Sequence, residues 1–112
     1  MEFKVYKDAK RYYKRIIGVT RSFPREFWEL GDQMRRSTLS VILNLAEGSG
    51  KHSDNEFNRY IHNSLGSINE TVAGVDVAFD NKLISEDTAQ FLFKEAKEIA
   101  NQLGGLSKHL KH

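Results

Sequence analysis

The sequence predicts an all-α fold, an antiparallel up-down four-helix bundle. Apolar residues recur at spacings of three and four through four separate segments, which gives each segment one buried helical face. The link Gly48-Ser49-Gly50 is short and is followed by Ser53 with Glu56 three residues on, a pattern that restarts a helix. Ala89, Leu92, Ala96, Ile99, Leu103, Leu106 and Leu110 alternate spacings of three and four, as a bundle seam requires. At 112 residues the chain is expected to form one domain over 1–112, with helices near 3–21, 29–47, 54–81 and 86–110.

In the first helix, Tyr6, Ala9, Tyr13, Ile16, Thr20 and Phe23 are the expected core face. Lys4, Lys7, Arg11, Lys14 and Arg21 lie opposite, stacking five cations along one side. Like charges so arranged repel one another unless an anion or an acidic surface neutralises them. The stripe is therefore either a phosphate-binding face or a solvated one, its lysine stems covering apolar surface. Phe23-Pro24 ends the pattern, because Pro24 disfavours a helical Phe23 and can itself start a new turn. Phe23, Phe27 and Trp28 are expected to seal that end of the bundle, with Trp28 a core plug rather than a ligand platform.

The second helix carries Leu30, Met34, Thr38, Val41 and Leu45 toward the core. Leu39 and Leu43 point well away from that stripe, with Ile42 and Ala46 to one side. A helix apolar nearly all round must be buried nearly all round, which points to an interface between copies at Leu39, Ile42, Leu43 and Ala46. A fully wrapped central helix is the other solution. Between the apolar faces run Gln33, Arg36, Ser40, Asn44 and Glu47, expected to join Arg59 and Glu70 in a polar network that fixes helix register. Gly48 and Gly50 are expected to end the helix through positive φ.

The third helix presents Phe57, Ile61, Ser64, Leu65, Ile68, Val72, Val75 and Phe79 at helical spacing. Its small residues Ser64, Gly66, Ser67, Ala73 and Gly74 would let a neighbour approach closely. Ser85 caps the fourth helix, Gly104-Gly105 predicts fraying or a bend beyond Leu103, and Lys108, His109, Lys111 and His112 form a basic tail.

Composition narrows the function classes. There is no cysteine, which excludes thiol catalysis, cysteine-ligated zinc and disulfides. The start lacks a signal-peptide run and no stretch could span a bilayer, so a cytoplasmic protein without a membrane partner is expected. Net charge is +2 overall, yet residues 1–36 hold ten Lys/Arg against five Asp/Glu and the remainder seven against ten. The basic end predicts a polyanionic partner, with Lys4, Lys7, Arg11, Lys14, Arg21, Arg35, Arg36 and Lys51 as phosphate contacts on RNA or DNA. His62 has no second histidine one turn on and reads as a surface or network residue; no metal, cofactor or catalytic set is expected. Gly48-Ser49-Gly50-Lys51 lacks the spacing and the preceding strand of a phosphate loop. Convergence of Glu47, Glu70 and His62 is the remaining enzymatic idea.

Several runs together carry a family resemblance. They are Phe23-Pro24-x-Glu26, Gln33-Met34-Arg35-Arg36-Ser37, Ser40, Asn44-Leu45-Ala46-Glu47-Gly48-x-Gly50-Lys51, Glu56-Phe57-x-Arg59-Tyr60 and Leu65-Gly66-Ser67-x-x-Glu70. The chain resembles the small four-helix-bundle family encoded in intervening sequences of bacterial 23S ribosomal RNA genes. The accessory variability protein of diversity-generating retroelements is similar to that family. The resemblance implies a homopentamer with a basic surface and no catalytic site; the retroelement members bind nucleic acid and partner a reverse transcriptase. The expected function is a non-enzymatic RNP accessory oligomer, the alternative being an interaction scaffold for an acidic protein.

Overall fold

The computed structural model describes residues 3–110. Residues 1–2, and Lys111 and His112 of the expected basic tail, lie outside them. Among the described residues there are four α-helices and no strand: α1 (Lys4–Thr20), α2 (Trp28–Ser49), α3 (Asp54–Asp80) and α4 (Glu86–His109). A single 3-10 turn at Arg25–Phe27 leads into α2.

The helices form a ring in which α1 adjoins α2 and α4, and α3 adjoins α2 and α4, while among the described residues the backbones of the diagonal pairs stay apart. Partner numbers fall on one helix as they rise on the next. Ser37 meets Thr71, Val41 meets Ser64 and Gly48 meets Tyr60 across α2 and α3. Asp8 meets Gln102 and Tyr12 meets Leu92 across α1 and α4. Both pairs are antiparallel, in a body of 45 × 22 × 20 Å. None of the described helices is long and apolar enough to cross a membrane.

The core runs along the axis through Ile16, Met34, Val41, Leu45, Ile61, Ile68, Val75, Leu92 and Leu103. Fully burying each such side chain is worth about 1.5–3 kcal/mol before ordering entropy is set against it. The α2–α3 seam also encloses hydroxyls. Thr71 Oγ1 lies 2.6 Å from Ser37 Oγ and 3.2 Å from Thr38 Oγ1, and donates to the Ser67 carbonyl at 3.1 Å. Buried hydroxyls cost free energy unless paired, and these are paired with one another and with helix carbonyls.

The buried stripe of α1 differs from expectation. It is Val5, Ala9, Tyr12, Ile16 and Thr20, while Tyr6 and Tyr13 are only half-buried. Tyr12 reaches α4, its phenol donating to the Leu92 carbonyl at 3.0 Å. Burial, with the Glu95 carboxylate adding to it, pushes that phenol well above its ordinary range. Trp28 is no core plug: it is 59% exposed, and Phe23 seals the bundle end in its place. Ile42 is 6% exposed and packs into the core of its own chain, which removes it from the expected surface patch.

The links also differ. No described glycine adopts positive φ, and α2 continues through Gly48 to Ser49. Gly48 is there for space: a Cβ on it would stand 2.6 Å from Tyr60 Cβ on α3. Ser53 and Ser85 cap α3 and α4, each hydroxyl accepting an amide hydrogen bond at 3.1 Å. The left-handed residue is Lys82, at φ 59°. It ends α3 in a Schellman turn, with Leu83 N donating to Ala78 O and Lys82 N to Phe79 O. α4 runs through Gly104-Gly105 without stopping, because its seam continues to Leu106 against the core.

Candidate functional site

The exposed side of α1 is the first surface of interest. Lys4, Lys7, Arg11 and Lys14 are exposed on the face opposite the core stripe, and Arg21 follows in the next turn. Lys7, Lys14 and Arg21 recur every seven residues and so share one line down the helix. Asp8 partly neutralises the upper end, with Lys4 Nζ at 2.7 Å and Arg11 Nη1 at 3.1 Å. The Lys4 ammonium, the Gln102 amide and Arg11 together hold the Asp8 carboxyl below its usual range. At the lower end Arg21 has no ion-pair partner among the described residues.

Arg21 opens onto a cleft of about 520 Å³ where α1 ends and α2 begins, lined also by Ile17, Thr20, Trp28, Asp32 and Arg35. Gly31 makes the corner tight: a Cβ there would lie 3.2 Å from Arg35 Nη1 and 3.3 Å from Thr20 Cβ. Arg35 donates to Thr20 Oγ1 at 2.8 Å, at the carbonyl-rich end of α1 where a cation is favoured. Arg36 pairs with Asp32 at 2.9 Å. Lys51 sits apart at the far end of α2, 4.0 Å from Glu47 and over the Tyr60 ring. Of the eight expected phosphate contacts, Arg21 and Arg35 share the cleft, Arg36 flanks it, four follow α1, and Lys51 stands alone.

The expected polar network is only partly assembled. Asn44 donates to the Ser40 carbonyl at 2.9 Å, Ser67 to Ser40 Oγ at 2.9 Å, and Asn63 reaches Asn44 Oδ1 at 3.4 Å. Glu47 joins Tyr60 at 3.3 Å. Gln33 and Glu70 are exposed, Arg59 lies 3.9 Å from Glu56, and Arg36 turns to Asp32, so these four stand outside it. Asn63 and Ser67 complete the network from α3; their signal was a helical spacing of four facing Ser40 and Asn44. Beside it, Arg36, Leu39, Ser40, Leu43, Asn44 and Glu47 line a shallow groove of about 290 Å³. Leu43 is 56% exposed there, Ala46 is exposed and Leu39 half-buried.

Catalytic convergence fails on distance. His62 and Glu70 are eight residues apart on α3, about 12 Å along its axis. Among the described residues no group of three His, Asp or Glu side chains could hold a metal ion.

The shape has a solved counterpart. A protein of unknown function from the S23 ribosomal protein family of Bacteroides thetaiotaomicron VPI-5482, known from a crystal structure, superposes with a TM-score of 0.85. The match covers 93% of this chain and 98% of that one at 21% identity, a likeness of fold. No curated protein sequence matches the chain. The model of the family described as 23S rRNA-intervening sequence protein matches residues 1–105, nearly the whole chain, with its basic helix, its α1–α2 corner and its α2–α3 hairpin, and the chain belongs to that family.

Proposed function

We propose that this chain is a non-enzymatic, oligomeric nucleic-acid-binding protein, an accessory of a ribonucleoprotein, that holds phosphates by charge without reading bases in a groove. The observation that carries this reading is the line Lys7, Lys14, Arg21 on the outer face of α1, running into the Arg21–Arg35 cleft. Cations aligned on one exposed side raise the local potential and favour a polyanion over a small ligand. Leu43 and its groove support assembly from copies of this chain, since a leucine that exposed gains by being covered.

Binding to RNA and duplex DNA at increasing salt tests the reading. Affinity should fall on a log–log plot by about 0.9 per phosphate neutralised on B-DNA and vary little with sequence. Reversing Lys14 and Arg21 to glutamate should weaken both ligands and flatten the slope. Salt-insensitive binding, or no binding at low salt, overturns it. Capture of an acidic protein that survives nuclease treatment would favour the scaffold alternative instead.

A further inference from the structure

Among the described residues Trp28 is the most exposed large apolar side chain, and neither the core nor phosphate contact uses it. It opens α2 and forms one wall of the cleft. The Arg25 guanidinium stands 5.4 Å from its ring centroid, and Arg21 and Arg35 line the same space. Arg35 is held in place by Thr20 at 2.8 Å, so its fork is pre-positioned. The single acid in the wall, Asp32, is offset by Arg36 at 2.9 Å and Arg35 at 3.9 Å. Flat aromatic surface beside guanidinium donors is the pairing that holds a base by its face and a phosphate by its oxygens.

We infer that the α1–α2 corner binds an unpaired nucleotide of a single strand, its base stacked on Trp28 and its phosphate on Arg21 and Arg35. The inference rests on the nucleic-acid reading above and adds selectivity to it. In a duplex each base face is covered by its neighbours, so an indole at the surface finds no partner; in a single strand or loop it does. The volume of about 520 Å³ lies in the range that encloses a small ligand. A strand following Lys7 and Lys14 along α1 arrives at Arg21, on the rim of this cleft.

Trp28 is the only tryptophan in the chain, so its fluorescence reports on this site alone. The test titrates the whole protein, at one low salt concentration, with single-stranded RNA, single-stranded DNA, duplexes of equal length, inorganic polyphosphate and polyglutamate. Single strands should quench Trp28 and bind at least about fivefold tighter than duplex, the RNA and DNA arms showing which sugar is preferred. Polyphosphate should bind with little quenching. Trp28→Ala, followed with labelled oligonucleotides, should lose about fivefold to 100-fold in single-strand affinity while duplex affinity and helical circular dichroism stay unchanged. Trp28→Phe should restore most of the loss. Equal affinity for all polyanions with no base-dependent quenching overturns the stacking site and leaves the charge-based reading standing. Quenching by polyglutamate equal to that by single strands overturns it in favour of an acidic peptide. Absence of binding to every polyanion overturns both readings together.

Discussion

Gly74 of α3 lies directly against Met34 of α2, and a Cβ on Gly74 would stand 2.5 Å from Met34 Cγ. Met34 is itself 1% exposed, and the crowded atom is in the middle of its side chain rather than at the flexible end. The glycine is what sets the approach of the two helices.

Gly74→Ala should therefore destabilise. Overpacking costs about 1–3 kcal/mol, against a helix-propensity gain of about 1 kcal/mol, leaving a net loss of up to about 2 kcal/mol. Gly105→Ala is the control, since nothing lies within 4 Å of the added carbon and the site is exposed inside α4. It should stabilise by up to about 1 kcal/mol. Urea midpoints of the two variants, with unchanged m values, check both signs.

Lys82 occupies a left-handed conformation at φ 59°, where a side chain other than glycine costs roughly 1 kcal/mol or more. Both Schellman hydrogen bonds of the turn come from backbone groups, Lys82 N and Leu83 N, so Lys82→Gly keeps the turn and removes the strain. A rise in melting temperature is expected, equivalent to about 0.5–1 kcal/mol after the extra freedom of glycine in the unfolded chain is deducted. A fall would mean that the Lys82 ammonium is engaged elsewhere.

Asp8 gives a pH dependence of known sign. Its folded carboxyl is held below the unfolded value, chiefly by Lys4 and Gln102. The contribution is complete above the unfolded value of about 3.9 and is lost as pH falls through the lower folded value. Acid unfolding should accordingly steepen below about pH 4, and Asp8→Asn should flatten that limb while leaving the slope near neutrality unchanged. Salt should reduce the difference, because the ion pairs are open to solvent.

Leu43→Arg tests assembly. At 56% exposure the side chain contributes little to the monomer, so stability should change within about 0.5 kcal/mol. The mass measured by light scattering should drop to that of one chain. An unchanged oligomer would move the contact elsewhere, and a wild-type monomer would remove it.

Periodicity made the helical architecture legible because three- and four-residue spacing leaves few other solutions. It favoured Tyr13 over Tyr12, which is adjacent and also near the inward side; the Leu92 carbonyl on α4 decides for Tyr12. Gly48 looked like a turn residue because small size and conformational freedom share one letter; only the neighbour at Tyr60 separates them. Trp28 looked like a plug because hydrophobicity says nothing about which of three clustered aromatics the bundle end has room for, and Phe23 fills it. At the candidate site the arginines were readable as charge. Their gathering around one cleft depends on Gly31 drawing two helix ends together, which no local pattern encodes.

The seam between α1 and α4 joins the first helix made to the last, through partners such as Asp8 and Gln102 that are 94 residues apart in sequence. Near it a cleft of about 460 Å³ between Val19 and Phe91 stays open to solvent. Closing so distant a pair carries the largest loop entropy in the molecule. The central hairpin should therefore zip up early, with α1 latching late and unlatching first. In amide exchange, protons of α2 and α3 should outlast those of α1, so that the cation-bearing helix is also the one with most freedom to swing toward what it grips.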